Sequence, residues 1–176
     1  CDSNDIIYPN LKCTITNGTS TGTFIANNSG SYTIPVQAGT HSIIPIIENP
    51  SYFNITPTTF NVNFPSATNP YNQDFCITAN GNHNDLEVVL IPIIQARPGF
   101  DAFYKLILKN KGTSTQSGAI NFSFDDTILD FVSSNPNVLS QSIGSLIWNF
   151  ANLLPFESSE INIILNLNSP TETPAL

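Results

Sequence analysis

The sequence predicts an all-β protein made of two β-sandwich modules in series. Thr, Ile, Val, Phe and Asn, together with 13 prolines, dominate a chain in which strong helix formers are scarce, and this composition favours strands and turns. Short alternating runs recur between turn clusters at intervals of about 8 to 12 residues, the spacing of a sandwich or barrel. The length of 176 residues suffices for two domains.

The first half of the chain alternates apolar and polar residues from residue 11 onward. Leu11, Cys13 and Ile15 share one face, and Asn17-Gly18 predicts a tight hairpin turn after them. Pro45 lies inside one of the predicted strands and argues for an edge or a bulge there. The further strands of this half are predicted at 23–26, 31–36, 41–47, 60–64 and 75–77.

A second series of strands follows the polar segment 79–84, which we interpret as a hinge between domains 1–79 and 84–176. Trp148 shares a strand face with Leu146 and Phe150, so we expect it to be a core anchor. The strands of this half are predicted from residue 86 and at 103–108, 119–124, 129–133, 146–150 and 161–167.

Charge and hydropathy exclude several classes of protein. The net charge of -8 repels phosphate backbones, which excludes nucleic acid as a partner. Hydrophobic residues make up 40% of the chain and charged residues 10%, too apolar a balance for a disordered protein. No apolar run approaches the roughly 20 residues that span a bilayer, so we expect no membrane insertion.

Two segments of the first half resemble a known signature. Asn27-Asn28-Ser29-Gly30-Ser31-Tyr32-Thr33, followed by Val36-Gln37-Ala38-Gly39-Thr40-His41, resembles the Gly-x-Tyr and Ala-Gly-x-Tyr signature of transthyretin-like and Sdr B-like sandwich modules. In that pattern Gly30 permits a turn with positive φ and Tyr32 packs on the sandwich. The resemblance covers about residues 1–79.

The second half resembles the Ig-like repeat of large bacterial surface proteins. The stretches 98–106 and 109–112 match its opening strand and turn, and 148–157 matches its Trp-x-x-x-x-Leu-x-Pro-x-Glu segment. Tandem modules of this kind are typical of secreted multidomain proteins that Bacteroidota export by the type IX pathway. The resemblance therefore implies an extracellular or cell-surface location.

Both resemblances lack a strand at one end. The first module normally begins with a strand and an Asp/Asn-rich loop before Cys1, and the second normally has a strand after Leu176. We therefore interpret the chain as an internal piece of a longer exported protein, with a lipidated Cys1 as the alternative. Strand Ile161–Leu167 is then expected to lack a neighbour, which the continuing chain or another copy would supply by strand exchange.

The three cysteines predict one disulfide and one thiol in an exported protein. Cys13 shares its face with apolar residues and is expected to be a buried thiol. Cys76 points opposite to Phe75 and Ile77, away from the core. Cys1–Cys76 is the favoured pair. Cys13–Cys76 is the alternative, because the two disulfides close loops of similar length and chain entropy does not distinguish them.

Other candidate sites carry weaker patterns. Asp2, Asn4 and Asp5 have the oxygen-rich spacing of a calcium loop, although a solvated turn that caps a strand is the favoured explanation. Thr127, in Asp126-Thr127-Ile128, matches a short O-glycosylation pattern of Bacteroidota. His41 and His83 lack metal-ligand spacing and are expected to be surface residues.

The sequence therefore predicts a non-enzymatic structural or adhesive stalk segment of a large secreted or cell-surface bacterial protein, with no cofactor other than calcium. Its partners would be neighbouring modules of the same polypeptide, a cell-surface glycan or another copy. The alternative is an accessory carbohydrate-binding module of a secreted hydrolase. Exposed aromatic rings on a sheet face would favour that alternative, whereas buried ones would favour a stalk.

Overall fold

The computed structural model describes residue 1 and residues 7–171. Within these residues the regular elements are thirteen strands arranged in antiparallel sheets, and none is a helix. The all-β prediction is confirmed. The chain divides into two compact units, Cys1–His83 (unit 1) and Asn84–Leu176 (unit 2).

Unit 1 contains a four-stranded sheet in the order β2-β1-β3-β5 and a two-stranded sheet of β4 and β6. Every pairing is antiparallel. Its strands are β1 (Lys12–Asn17), β2 (Ser20–Ile25), β3 (Gly39–Ile46), β4 (Phe53–Thr56), β5 (Phe60–Phe64) and β6 (Cys76–Ala79).

The turn between β1 and β2 forms where Asn-Gly predicts it. Asn17 pairs with Ser20, which leaves a two-residue loop, and Gly18 takes a φ of 57° that favours glycine. The first hairpin prediction is confirmed.

Pro45 is accommodated because β3 has fewer neighbours at that point. β3 pairs with β5 only as far as Ile43, whereas its pairing with β1 continues to Ile46. Pro45 therefore lies in an interior strand but beyond the end of one of its two ladders, where one neighbour remains.

The predicted strand 31–36 is not formed. Residues 32–38 have no regular structure and pair with no strand in the described part of the chain. Pro35 lacks the N–H that a ladder needs, and Tyr32 instead donates a side-chain hydrogen bond to the backbone oxygen of Gln73. The alternation in the sequence reflects which side chains are partly buried. They are buried by contact with a loop, however, and not by pairing with a strand.

Unit 2 is a sandwich of two antiparallel sheets in the orders β10-β13-β8-β7 and β11-β12-β9. Its strands are β7 (Leu86–Pro92), β8 (Asp101–Asn110), β9 (Gln116–Ser123), β10 (Leu129–Asn135), β11 (Ser140–Ser142), β12 (Ser145–Leu153) and β13 (Ser158–Leu167).

Trp148 lies at the centre of the unit 2 core, as predicted. It is 2% exposed, and its indole N–H donates to the backbone oxygen of Pro136 at 3.1 Å. Side chains of both sheets surround it, and the buried cluster consists of Leu106, Leu108, Ile120, Leu146, Trp148, Leu153, Ile161, Ile163 and Leu165.

A fully buried amide organises the turn after β8. Asn110 donates from Nδ2 to the backbone oxygens of Ser114 at 2.8 Å and Leu153 at 2.9 Å. Its Oδ1 accepts the backbone N–H of Gly112 at 3.0 Å. Both amide N–H donors and the amide oxygen are thus hydrogen-bonded, which offsets the cost of burying this polar side chain.

The expectation that strand 161–167 lacks a neighbour is wrong. β13 lies between β10 and β8 and pairs with both along its length. The edges of that sheet are β10 and β7 instead. The alternation that identified β13 as a strand carries no information about its place in the sheet order, which long-range pairing decides.

Candidate functional site

A cleft of unit 1 lies on the face of the four-stranded sheet. The facing side chains come from paired positions, since Ile43 stands opposite both Ile15 and Phe60, and His41 opposite Val62. Directly paired residues share a face, so these strands present one continuous wall. The sheet side of the cleft consists of Ile15, His41, Ile43, Phe60, Val62 and Phe64.

Two loops form the opposite wall of the cleft. They are residues 32–38 and residues 65–73, and the hydrogen bond from the Tyr32 hydroxyl to Gln73 joins them. Burial, with smaller contributions from Cys13 and Asp74, raises the pKa of Tyr32 to about 12. The phenol therefore keeps its proton and remains a donor throughout the physiological pH range.

A pair of stacked aromatic rings stands at the cleft. The rings of Phe60 and Tyr71 are 5.3 Å apart between centroids and inclined by 27°. Tyr71 is 44% exposed, whereas Phe60 is half-buried. This geometry lies within the offset-stacked range and leaves part of the tyrosine ring available to solvent.

His41 is a buried residue of the cleft wall, and its prediction as a surface residue is wrong. It is 3% exposed, and its Nε2 lies 2.8 Å from the backbone oxygen of Gln37. A carbonyl oxygen only accepts, so Nε2 carries the proton and Nδ1 keeps a lone pair in the neutral ring. Alternation in β3 places His41 on the same face as Ile43, a signal that was available in the sequence.

His83 differs from His41 in its surroundings. It is half-buried and stacks on Tyr52, with ring centroids 4.2 Å apart and planes inclined by 9°. Its Nε2 lies 2.9 Å from the backbone oxygen of Asn80. The two histidines do not share a site.

The cleft encloses a volume of about 720 Å³. This volume lies in the range of small-molecule sites, which are mostly apolar with a few polar groups. In the described part of the chain, the lining contains no Asp, Glu, Lys or Arg, and its polar members are Tyr32, Thr33, Gln37, His41, Asn69, Tyr71, Asn72 and Gln73.

The last strand of unit 1, β6, is joined covalently to the first residue of the chain. Cys1 and Cys76 form a disulfide with an S–S distance of 1.94 Å and a Cα–Cα distance of 5.0 Å. This is the pair that side-chain direction favours, and the Cys13–Cys76 alternative is not formed. Cys13 is fully buried, and burial raises the pKa of its thiol to about 11. It is a structural thiol and not a nucleophile at neutral pH.

Thr127, the predicted glycosylation residue, lies in an exposed turn and interacts with Asp125. Its hydroxyl donates to Asp125 Oδ1 at 2.6 Å, and its backbone N–H donates to the same oxygen at 3.0 Å. These two hydrogen bonds, the side-chain one first, lower the pKa of Asp125. Modification of Thr127 stays a prediction.

The calcium prediction concerns Asp2, Asn4 and Asp5, which lie outside the described residues. Within residues 7–171 no three His, Cys, Asp or Glu side chains come together as a metal-binding group. The same residues contain no helix long and apolar enough to cross a membrane.

No family model, curated protein or solved structure matches the chain.

A second exposed feature lies in unit 2, where β7 forms an apolar edge. Val88 and Leu90 stand opposite Leu108 and Leu106, so their side chains lie on the core-bearing face of the sheet, yet they are 54% and 44% exposed. Ile93 donates its N–H to Phe103. In an antiparallel pair, every second residue of a strand directs its backbone N–H and C=O toward the partner strand. Counted from Ile93, Val88 and Leu90 fall at the other positions, so their N–H and C=O groups face the outer edge. The apolar run predicted a strand but not its exposure.

Proposed function

We propose that the chain is a non-catalytic spacer segment of an exported, cell-surface or secreted protein, and that unit 1 keeps its length when the polypeptide is under tension. The disulfide between Cys1 and Cys76 carries this proposal. A stable disulfide also favours an oxidising, extracellular setting.

The position of the disulfide determines the path of an applied force. Tension that enters unit 1 at Cys1 passes through the sulfur–sulfur bond to Cys76 and leaves through the few residues before unit 2 begins. The strands β1 to β5 lie within the closed loop and are not pulled apart. Unit 2 contains no cysteine, so its resistance to unfolding under force depends on its hydrogen bonds and its core.

Force spectroscopy on a concatenated form of the chain tests the proposal. The cysteines are 75 residues apart, and an extended residue spans about 3.3 to 3.6 Å, so reduction should add a length step of roughly 25 to 27 nm. The oxidised protein should show only the step of unit 2. Cys13→Ser is the matched control, because it removes the free thiol and keeps the disulfide.

Two results of this experiment would contradict the proposal. A long step from unit 1 in the oxidised protein would show that the unit extends under tension, and the spacer proposal would then be wrong. Identical traces before and after reduction would contradict it as well.

A further inference from the structure

We infer that the cleft of unit 1 is a binding site for an uncharged, hydroxylated ring compound, the class to which neutral sugar residues belong. The inference gives the carbohydrate-binding alternative a location. It does not depend on the spacer proposal, because the cleft and the disulfide are tested by different measurements.

Charge selects the class of ligand. The cleft lining includes no Asp, Glu, Lys or Arg among the described residues. A bound anion would find no cation to offset its desolvation, and a bound cation would find no carboxylate, so either would lose hydration without compensation. The net charge of -8 adds a general repulsion of anions. A neutral ligand meets neither penalty.

The aromatic pair suits the apolar face of a ring. Tyr71 is already held in place by its stack on Phe60, so a ligand ring that packs on its exposed side does not have to order it. A pyranose presents C–H groups on one face and hydroxyl groups at its perimeter. Such a ring buries its C–H face on an aromatic side chain while the hydroxyls reach the polar groups around it.

The lone pair of His41 supplies a directed contact for one hydroxyl. Nε2 donates to the backbone oxygen of Gln37, so Nδ1 is the acceptor of the ring. A ligand hydroxyl that reaches Nδ1 would donate to it. At the rim, the exposed amides of Asn69 and Asn72 each offer both donors and an acceptor, which matches the dual character of a hydroxyl group.

Saturation-transfer NMR on the oxidised, full chain tests the inference. The neutral probes are the methyl glycosides of glucose, galactose, mannose and N-acetylglucosamine, and the charged probes are glucuronate and glucosamine. We expect saturation transfer to at least one neutral glycoside and about tenfold weaker binding of both charged probes. Absence of transfer to all four neutral probes, or preference for a charged one, would overturn the inference.

Two variants and one control locate the binding in the cleft. Tyr71→Ala removes the exposed ring and should weaken affinity by about tenfold, the scale of one aromatic contact. Phe100→Ala is the matched control, because Phe100 is 67% exposed and lies in unit 2. His41→Phe keeps a ring of similar size and removes the acceptor, and calorimetry establishes whether it folds. Equal effects of the Tyr71 and Phe100 substitutions would refute the site, whatever the His41 variant does.

Discussion

Replacing Asn110 by alanine should be among the most destabilising single changes in unit 2. The side chain is fully buried and makes three hydrogen bonds of 2.8 to 3.0 Å, to Ser114, Leu153 and Gly112. A net contribution of roughly 0.5 to 1.5 kcal/mol per bond gives a loss of about 3 kcal/mol. Leu153 is buried, so water does not replace the bond lost at its backbone oxygen; Ser114 is half-buried, and the Gly112 N–H keeps a second acceptor in the backbone oxygen of Asp85 at 3.2 Å.

Urea denaturation followed by tryptophan fluorescence measures this loss, because the single tryptophan is buried in unit 2. The midpoint should fall at an unchanged slope. Asn110→Asp has the same size but loses both donors, so it should cost at least as much as alanine. Asn166→Ala is the control, since its bond to Asp101 at 2.7 Å is exposed. A loss below about 1 kcal/mol for Asn110→Ala, or a loss equal to that of the control, would refute the reasoning.

Three further predictions follow from other parts of the chain. Reduction of Cys1–Cys76 should destabilise unit 1 by about 4 kcal/mol, given its separation of 75 residues; circular dichroism should register the change while tryptophan fluorescence of unit 2 stays the same, and a shift of both signals would contradict it. Val88→Lys should raise solubility at an unchanged unit 2 midpoint, because the residue is 54% exposed on an apolar edge strand; a lowered midpoint would show that the edge contributes to the core. Thr127→Val should raise the pKa of Asp125 in an NMR titration, since the threonine hydroxyl is the main cause of its depression. The stabilisation from this carboxylate is present above its unfolded pKa and lost as pH falls through the folded value, and an unchanged pKa would disprove the assignment.

Local patterns predicted the elements whose causes are local. The Asn17-Gly18 turn follows from the backbone freedom of glycine, and the burial of Trp148 follows from period-two alternation within one strand. The direction of Cys76 relative to Ile77 was enough to favour the disulfide that the structure contains. In each case the signal in the sequence, a turn residue or the direction of a side chain in a strand, lies within a few residues of the position itself.

Positions that depend on long-range contacts were not predictable in the same way. Residues 32–38 alternate like a strand, but whether they pair depends on loop 65–73, to which Tyr32 is bonded. The exposure of Val88 depends on how far the opposite sheet extends, and no property of β7 encodes that. The cleft was predictable only in part. Alternation in the strands indicates which side chains form its sheet wall, but no local pattern predicts its loop wall. His41 is the residue that sequence reasoning should have found, because its strand face was known.

The covalent closure of unit 1 also bears on how the protein withstands proteases. A single cut in any loop between Cys1 and Cys76 produces two polypeptides that remain attached through sulfur. Whatever precedes Cys1 then stays connected to whatever follows Cys76, even where the intervening backbone is broken. Loops such as residues 65–73 can therefore be nicked without dividing the chain, and damage becomes visible only when the protein is reduced before electrophoresis.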